Sequence, residues 1–449
     1  MTIDQEKLEL LSKATEPGPG ELHSILEEAS KGKGLGLEEA ASLLAIRDAG
    51  MLGEILRCAG ELKERVFGRR IVLFAPLYLS NHCTNGCEYC GFRAQNRDVA
   101  RRALTIEEAV AEAKALEAMG FKRVLLVTGE DPRWGLDYIA AAVRAIYEKT
   151  GMRIVHVNAP PMDTESLKEL KAAGAGVYQA FQETYHRPTY ELMHPSGRKK
   201  DYDFRLSVMD RAMEAGFGDV GIGALLGLYD YRFDALASIA HSQHLFSSFG
   251  AHAHTISIPR LRPAEAGLKE VPWRLSDGDL KKVVAVFRLS VPSAGIVAST
   301  RESALFRSEL IKTGATQLSA ASKTNPGGYK GEQTLEQFST SDHRSLQEVV
   351  RSVVDEGLLP SLCTTCYRVG RTGHDFTDKA MSGQMGKFCQ ANAVLTLKEY
   401  LLDYCAGGSK EAVARAIDEG FKEVKDEGLK KALMERLKEL EEGKRDLYF

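Results

Sequence analysis

Eight short apolar runs, each followed or preceded by a helical stretch, constrain this chain more than any other feature. Residues 71–79, 123–128, 154–158, 176–181, 219–223, 255–259, 296–299 and 316–320 read as strands. Several are continuous apolar runs without polar alternation, as strands buried on both faces should be. Thr105-Ile-Glu-Glu108 has the form of a capping box; its helix runs to about Met119, where Gly120 stops it, and further helices are predicted over 136–147, 164–173 and 204–215. Eight strand-helix units predict an α/β fold, a (β/α)8 barrel of about 250 residues whose active site lies where the strand C-termini open. The 449 residues leave room for appendages. Residues 1–70 are expected to form an N-terminal helical cap, 71–322 the barrel, and 323–449 a smaller, mostly helical C-terminal unit. The last opens on the turn-rich Lys323-Thr-Asn-Pro-Gly-Gly-Tyr329 and the polar run 333–347. It ends in charged helices with Leu429, Leu433, Leu437 and Leu440 on one stripe.

Just after the first predicted strand comes Cys83-Thr-Asn-Gly-Cys87-Glu-Tyr-Cys90. Three thiolates at this spacing can hold three corners of a four-iron cluster and leave the fourth iron open to a non-protein ligand. A structural zinc site would need a fourth protein ligand, for which His82 is the adjacent candidate. Cys-x3-Cys-x2-Cys with Tyr89 beside the last thiol resembles the motif of radical S-adenosylmethionine (SAM) enzymes. That resemblance implies that the open iron chelates SAM and that the sulfonium is reduced to a 5'-deoxyadenosyl radical. Thr128-Gly129-Glu130, at the end of the second strand, matches the Gly-Gly-Glu that binds the SAM amino group in that family, with Thr128 in place of the first Gly.

A second set, Cys363-x2-Cys366-x22-Cys389, again supplies three thiolates without an obvious fourth, so a second 4Fe-4S cluster is expected in the C-terminal unit. His374, the nearest imidazole, is badly spaced for a zinc ribbon. Six of the eight cysteines fall in these triplets; Cys58 and Cys405 read as plain buried thiols. Such grouping points to metal ligation in a reducing, cytoplasmic compartment rather than to disulfides. Lys+Arg 59 against Asp+Glu 62 gives a net charge of -3, so nothing suggests nucleic acid or an anionic membrane as partner. No run of about 18 apolar residues is present.

Cys363-Thr-Thr-Cys-Tyr-Arg-Val-Gly-Arg-Thr-Gly373 and Phe388-Cys389-x-x-Asn392-Ala393 resemble the C-terminal part of the iron-iron hydrogenase maturation tyrosine lyases, the HydG family. Phe181-Gln-Glu-Thr-Tyr-His186, Met193-His-Pro-Ser-Gly197, Asp219-Val-Gly-Ile-Gly-Ala-Leu225, His254-Thr-Ile-Ser-Ile-Pro-Arg260 and Ser299-Thr-Arg-Glu302 extend the resemblance over roughly residues 35–405. Phe376-Thr377, where Phe-Met is expected, and Thr128 are minor departures.

The resemblance implies a SAM-dependent cleavage of the Cα–Cβ bond of L-tyrosine to p-cresol and dehydroglycine. Carbon monoxide and cyanide then form and are captured on an extra, labile iron at the second cluster. That iron leaves with free cysteine as an Fe(CO)2(CN) unit for the hydrogenase. His254, which lies at the opposite end of its strand from the other candidates, matches the ligand to the labile iron; imidazole suits iron. His252 has no such match. Glu183 is expected at the barrel mouth as a cofactor-binding and catalytic carboxylate, and Arg301, with Ser322 assisting, is expected to take the tyrosine carboxylate. A reductant protein such as ferredoxin or flavodoxin and other hydrogenase maturation proteins are the implied partners. The rival readings are a thiamine-pathway tyrosine lyase (2-iminoacetate synthase), which lacks the second cysteine set, and a non-catalytic zinc scaffold.

Overall fold

The computed structural model describes residues 1–262, 267–331 and 335–449; residues 333 and 334 of the polar run fall outside these. Nine parallel strands form one sheet: β1 (Arg70–Ser80), β2 (Arg123–Thr128), β3 (Ile154–Asn158), β4 (Tyr178–Gln179), β5 (Val220–Gly223), β6 (Thr255–Ser257), β7 (Gly295–Ala298), β8 (Gln317–Ser319) and β9 (Leu359–Ser361). The first eight close into a barrel, because β1 pairs with β2 on one edge and with β8 on the other. The 11-residue β1 is longer than its neighbours. Its upper part, Ala75 to Ser80, lies against β2, and its lower end, Arg70 to Val72, pairs with β9. Thus the segment that carries the second cysteine set is stitched to the barrel floor by backbone hydrogen bonds. Pro360 is tolerated in β9 because that strand sits at an edge.

β2 and β3 have the boundaries that their apolar runs predict, and the helix Ile106–Met119 begins at the Thr105–Glu108 capping box and ends at a left-handed Gly120. β4 is shorter than its run, although Gly176 N still donates to Val155 O and Gln182 N to Gly223 O on either side. The single helix expected over 204–215 is broken into Tyr202–Leu206 and Val208–Glu214. Ser207 lies at the break and its hydroxyl donates to Asp203 O (2.6 Å), a bond that competes with the helical ladder.

Four helices precede β1: Gln5–Ser12, Pro19–Ser30, Leu37–Ala45 and Ala49–Phe67. They are fastened to the barrel by buried cations on backbone acceptors, Lys63 Nζ to Ile311 O (2.8 Å) and Lys282 Nζ to Ile46 O (2.6 Å). One buried apolar cluster runs without interruption from Leu8 through the barrel to Leu440. No helix among the described residues is long and apolar enough to cross a membrane.

Asp234, fully buried on the helix Tyr231–Phe249, accepts from Tyr185 N (2.8 Å) and Thr184 Oγ1 (3.0 Å). Burial outweighs these bonds and raises its pKa from 3.8 to about 7. The folded state therefore binds the proton more tightly than the unfolded chain, so this stabilisation is complete below pH 4 and lost as the pH climbs through 7. Asp234→Asn keeps an acceptor without the charge. Its melting temperature is expected to exceed that of the parent at pH 8, by the equivalent of a few kcal/mol, and the gap to narrow markedly at pH 5. An equal gap at both pH values would show that the carboxyl does not titrate in this range.

Candidate active site

Beyond the C-terminus of β1, the loop carrying Cys83, Cys87 and Cys90 folds back over the barrel mouth. Its path is held by backbone bonds rather than by the thiols: Thr84 N to Glu130 O (2.9 Å), Gly86 N to Ser196 O (3.1 Å) and Glu88 N to Met193 O (3.1 Å). Gly129 lies so close beneath that a Cβ would meet His82 O at 2.2 Å, which accounts for glycine there. Asn85 Nδ2 donates to Glu130 Oε2 (2.7 Å), while its Oδ1 accepts from Lys199 N (2.9 Å). The Thr128 hydroxyl donates to Gly129 O (3.0 Å). Tyr89 presents its ring to the cavity and engages His194 Nε2 through its hydroxyl (2.8 Å).

The cavity enclosed here has a volume of about 240 Å³ and is walled by the three cysteines with Tyr89, Thr128, Gly129, Glu130, Glu183, Arg301 and Ser322, the sequence-predicted mouth residues. Glu183 sits in the left-handed region (φ 70°), and Ala321, next to Ser322, does likewise (φ 50°). Backbone strain at non-glycine residues of this kind gathers at functional sites. Burial favours the neutral form of Glu183, but the charges of Lys199, 2.6 Å away, Arg205 and Arg301 outweigh it and hold the carboxyl below its ordinary range. Arg301 stacks on the Phe338 ring, with its guanidinium carbon 3.5 Å from the centroid, and has no ion-pair or hydrogen-bond partner for its guanidinium among the described residues. The adjacent Glu302 is clamped by Arg260 and Arg262, which fixes the turn that aims Arg301 inward. The Ser322 Oγ is buried with no partner among the described residues.

At the other end of the barrel a smaller cavity of about 40 Å³ holds Cys363, Cys366 and Cys389 together with His254, Arg70, Tyr367, Phe376 and Asn392. His254 precedes β6, so its side chain comes from the strand's N-terminal end. Its Nε2 lies 2.8 Å from the Tyr367 hydroxyl. Its Nδ1 is 3.2 Å from Asp219 Oδ1, within ion-pair distance though angled away from a hydrogen bond. Burial works against the Arg70 charge, yet the neighbouring Cys389, Cys363 and Cys366 more than restore it. A buried guanidinium is a suitable counter-charge for a thiolate-bound cluster. His252 is turned elsewhere, to Ser242 and the face of Phe246, and His374 is exposed beside Asp378. His82 meets Arg133 and Trp134. Cys58 and Cys405 are isolated buried thiols.

Both thiol sets fit a metal cluster by donor type. Burial pushes the Cys87 thiol up to about 12 and also raises Cys90 and Cys366, so the metal must displace protons as it binds. Among the described residues no three His, Cys, Asp or Glu side chains converge on one point as a single ion requires. Thiolates of a four-iron cluster bind separate irons and have no such need.

Residues 77–239 match the radical SAM superfamily, and residues 257–359 match the biotin and thiamin synthesis associated domain. The 2-iminoacetate synthase of Escherichia coli (strain K12) is 35% identical over 344 residues, which are 76% of this chain and 90% of that protein. The crystal structure of HydG, a maturase of the FeFe-hydrogenase, superposes with a TM-score of 0.95 at 45% identity and covers 100% of this chain and 99% of its own. The FeFe-hydrogenase maturase HydG from Carboxydothermus hydrogenoformans follows at 0.84 and 37%, covering 97% of this chain and 100% of its own. Such coverage takes in the second cysteine set. The chain belongs to the HydG family.

In this HydG-family chain several residues at the two cavities had no mark in the sequence. Lys199 and Arg205 come from beyond Gly197 and could be found only once Met193-His-Pro-Ser-Gly197 was known to fold against the cysteine loop. Arg123 and Gln317 open β2 and β8 and line both cavities. Their only sequence signal was a polar residue at the start of an apolar run. Residues 335–338 reach over the cysteines, where Gln337 accepts from the Tyr78 hydroxyl (2.7 Å) and approaches Cys90 Sγ (3.8 Å).

Proposed function

We propose that this HydG-family enzyme cleaves L-tyrosine at the mouth cavity and delivers the two-carbon fragment through the barrel to iron held at the floor cavity. The observation that carries this reading is the sharing of Arg123 and Gln317 by the two cavities, each of which holds one cysteine triplet. Cys83, Cys87 and Cys90 would hold a 4Fe-4S cluster, which with bound SAM and an electron from a ferredoxin- or flavodoxin-type protein would supply a 5'-deoxyadenosyl radical there. The chain's own part is to bind, align and keep water out. A primary carbon radical takes hydrogen from almost any neighbour, so a closed barrel is the appropriate vessel.

Within the mouth cavity, Thr128, Gly129, Glu130 and Tyr89 flank SAM. Glu183, kept ionised by its cationic neighbours, is an acceptor for an ammonium group. Arg301 and Ser322, both with donors unused among the described residues, take the tyrosine carboxylate. At the floor, Cys363, Cys366 and Cys389 hold a second 4Fe-4S cluster, and His254 holds the labile iron that leaves with carbon monoxide, cyanide and free cysteine as cargo. The chain then works as three parts, the cap 1–70, the barrel 71–322 and the cluster-binding unit 323–449, and passes its product to other hydrogenase maturation proteins in the cytoplasm.

The deciding experiment uses anaerobically reconstituted protein with SAM, dithionite and L-tyrosine, and follows p-cresol together with carbon monoxide trapped by deoxyhaemoglobin. Both should appear. p-Cresol without carbon monoxide from intact protein would favour the 2-iminoacetate synthase reading, which the 35% identity to that enzyme keeps in view. If SAM is not cleaved at all, the radical chemistry is refuted.

Arg301→Lys keeps the charge but loses the bidentate fork and the stacking on Phe338. The apparent KM for tyrosine should rise about 10- to 100-fold, the loss expected for a charge-assisted pair, with iron content unchanged. Unaltered tyrosine kinetics would remove Arg301 from the substrate site.

A further inference from the structure

Tyr367 lines the floor cavity and touches the residue assigned to the labile iron. Its hydroxyl lies 2.8 Å from His254 Nε2. The ring is held edge-on to His156 (4.9 Å) and to His254 (5.5 Å), with the Arg123 guanidinium over one face (5.2 Å). Arg123 is itself anchored, since it donates to Cys363 O (2.6 Å). The hydroxyl is therefore placed by the packing of the ring and does not depend on its own hydrogen bond for position.

On the other side of the imidazole, Asp219 Oδ1 lies 3.2 Å from Nδ1, outside hydrogen-bond geometry, and accepts from Gly373 N (3.0 Å). A carboxylate beside Nδ1 favours the proton on that nitrogen, which leaves the lone pair on Nε2, the usual arrangement for a metal-binding histidine. Tyr367 then donates to the very lone pair that an iron would take. One nitrogen cannot serve both.

We propose that Tyr367 is a displaceable cap on His254 Nε2, competing with ferrous iron for that atom and setting how firmly the iron is held. The exchange needs no redox step and no proton transfer on the ring. The Tyr367 O–H···Nε2 hydrogen bond breaks, the Nε2 lone pair goes to the iron, the imidazole proton stays on Nδ1 and the phenol keeps its own. A ligand weakened in this way suits an iron that must be loaded and released in each cycle rather than kept. The inference rests on the assignment of His254 to the labile iron, and the variants below separate the two.

The test is made on full-length protein with both clusters reconstituted anaerobically. Ferrous iron is added against a competing ferrous chelator, and the extra iron per chain is measured for the parent, Tyr367→Phe, His254→Ala and the double variant. Phenylalanine preserves the ring and its packing, and an unchanged cluster absorbance reports intact folding. Tyr367→Phe should hold the extra iron about three- to tenfold more tightly, the value of one neutral hydrogen bond. His254→Ala should lose that iron, and adding Tyr367→Phe to it should change nothing. Equal or weaker retention in Tyr367→Phe, with the iron still lost in His254→Ala, overturns the cap alone. Full retention of the extra iron in His254→Ala overturns the assignment of His254 and the cap with it.

Discussion

Replacing Cys87 with alanine should take SAM cleavage, p-cresol and carbon monoxide to background together, and lower the iron content by about four per chain. Cys87 is only 5% exposed in the wall of the mouth cavity, which gives an outside thiol poor access to its place. The loop itself should survive, because Thr84, Gly86 and Glu88 bind their partners through the backbone and do not depend on this sulfur. A melting temperature close to that of the parent, measured by circular dichroism without metal, would establish that chemistry and not folding was lost. Anaerobic iron and sulfide analysis gives the stoichiometry. Tyrosine cleavage persisting in Cys87→Ala at more than a trace would place the radical chemistry elsewhere.

The double variant Cys363→Ala/Cys366→Ala should show the opposite division, with p-cresol retained and carbon monoxide abolished. Its cavity lies at the barrel floor, where β9 pairs with the lower end of β1, whereas Arg301, Ser322 and Glu183 all line the mouth. Cys363 Sγ accepts from its near neighbour Thr365 N (3.4 Å), but the long-range contacts that keep this floor in place come from other groups. Arg123 donates to the carbonyl of Cys363, Gly373 N donates to Asp219, and the helix Gln384–Asp403 contributes its own buried face. Two small half-buried side chains are removed and the frame is kept. Quantifying p-cresol by chromatography and carbon monoxide by haemoglobin absorbance in one reaction checks both halves. Loss of p-cresol in a well-folded double variant would mean that the two cavities do not divide the labour.

How the sequence relates to the structure differs from one element to the next. The strands β2 and β3 lie at 123–128 and 154–158, where the uninterrupted apolar runs placed them, since a strand buried on both faces leaves an unbroken mark. The Thr105–Glu108 cap was equally plain, because all its hydrogen bonds fall within four residues. β9 left no mark. It is three residues long and contains Pro360, and only its pairing with β1 makes it a strand. The break at Ser207 was also unforeseen, for a serine inside a helical period is ordinary until its hydroxyl finds a carbonyl.

Local chemistry thus determined which residues could ligate metal, which runs could be strands and where one helix starts, because spacing along the chain fixes those relations before folding. The tertiary structure alone decided that Tyr367 meets His254 across 113 residues, that Lys199 holds Glu183, and that Arg301 faces a cavity with its guanidinium unpaired among the described residues. Those contacts exist only when the barrel closes and brings distant strand ends to one level, and closure is a property of all eight strands together, carried by no single stretch of the sequence.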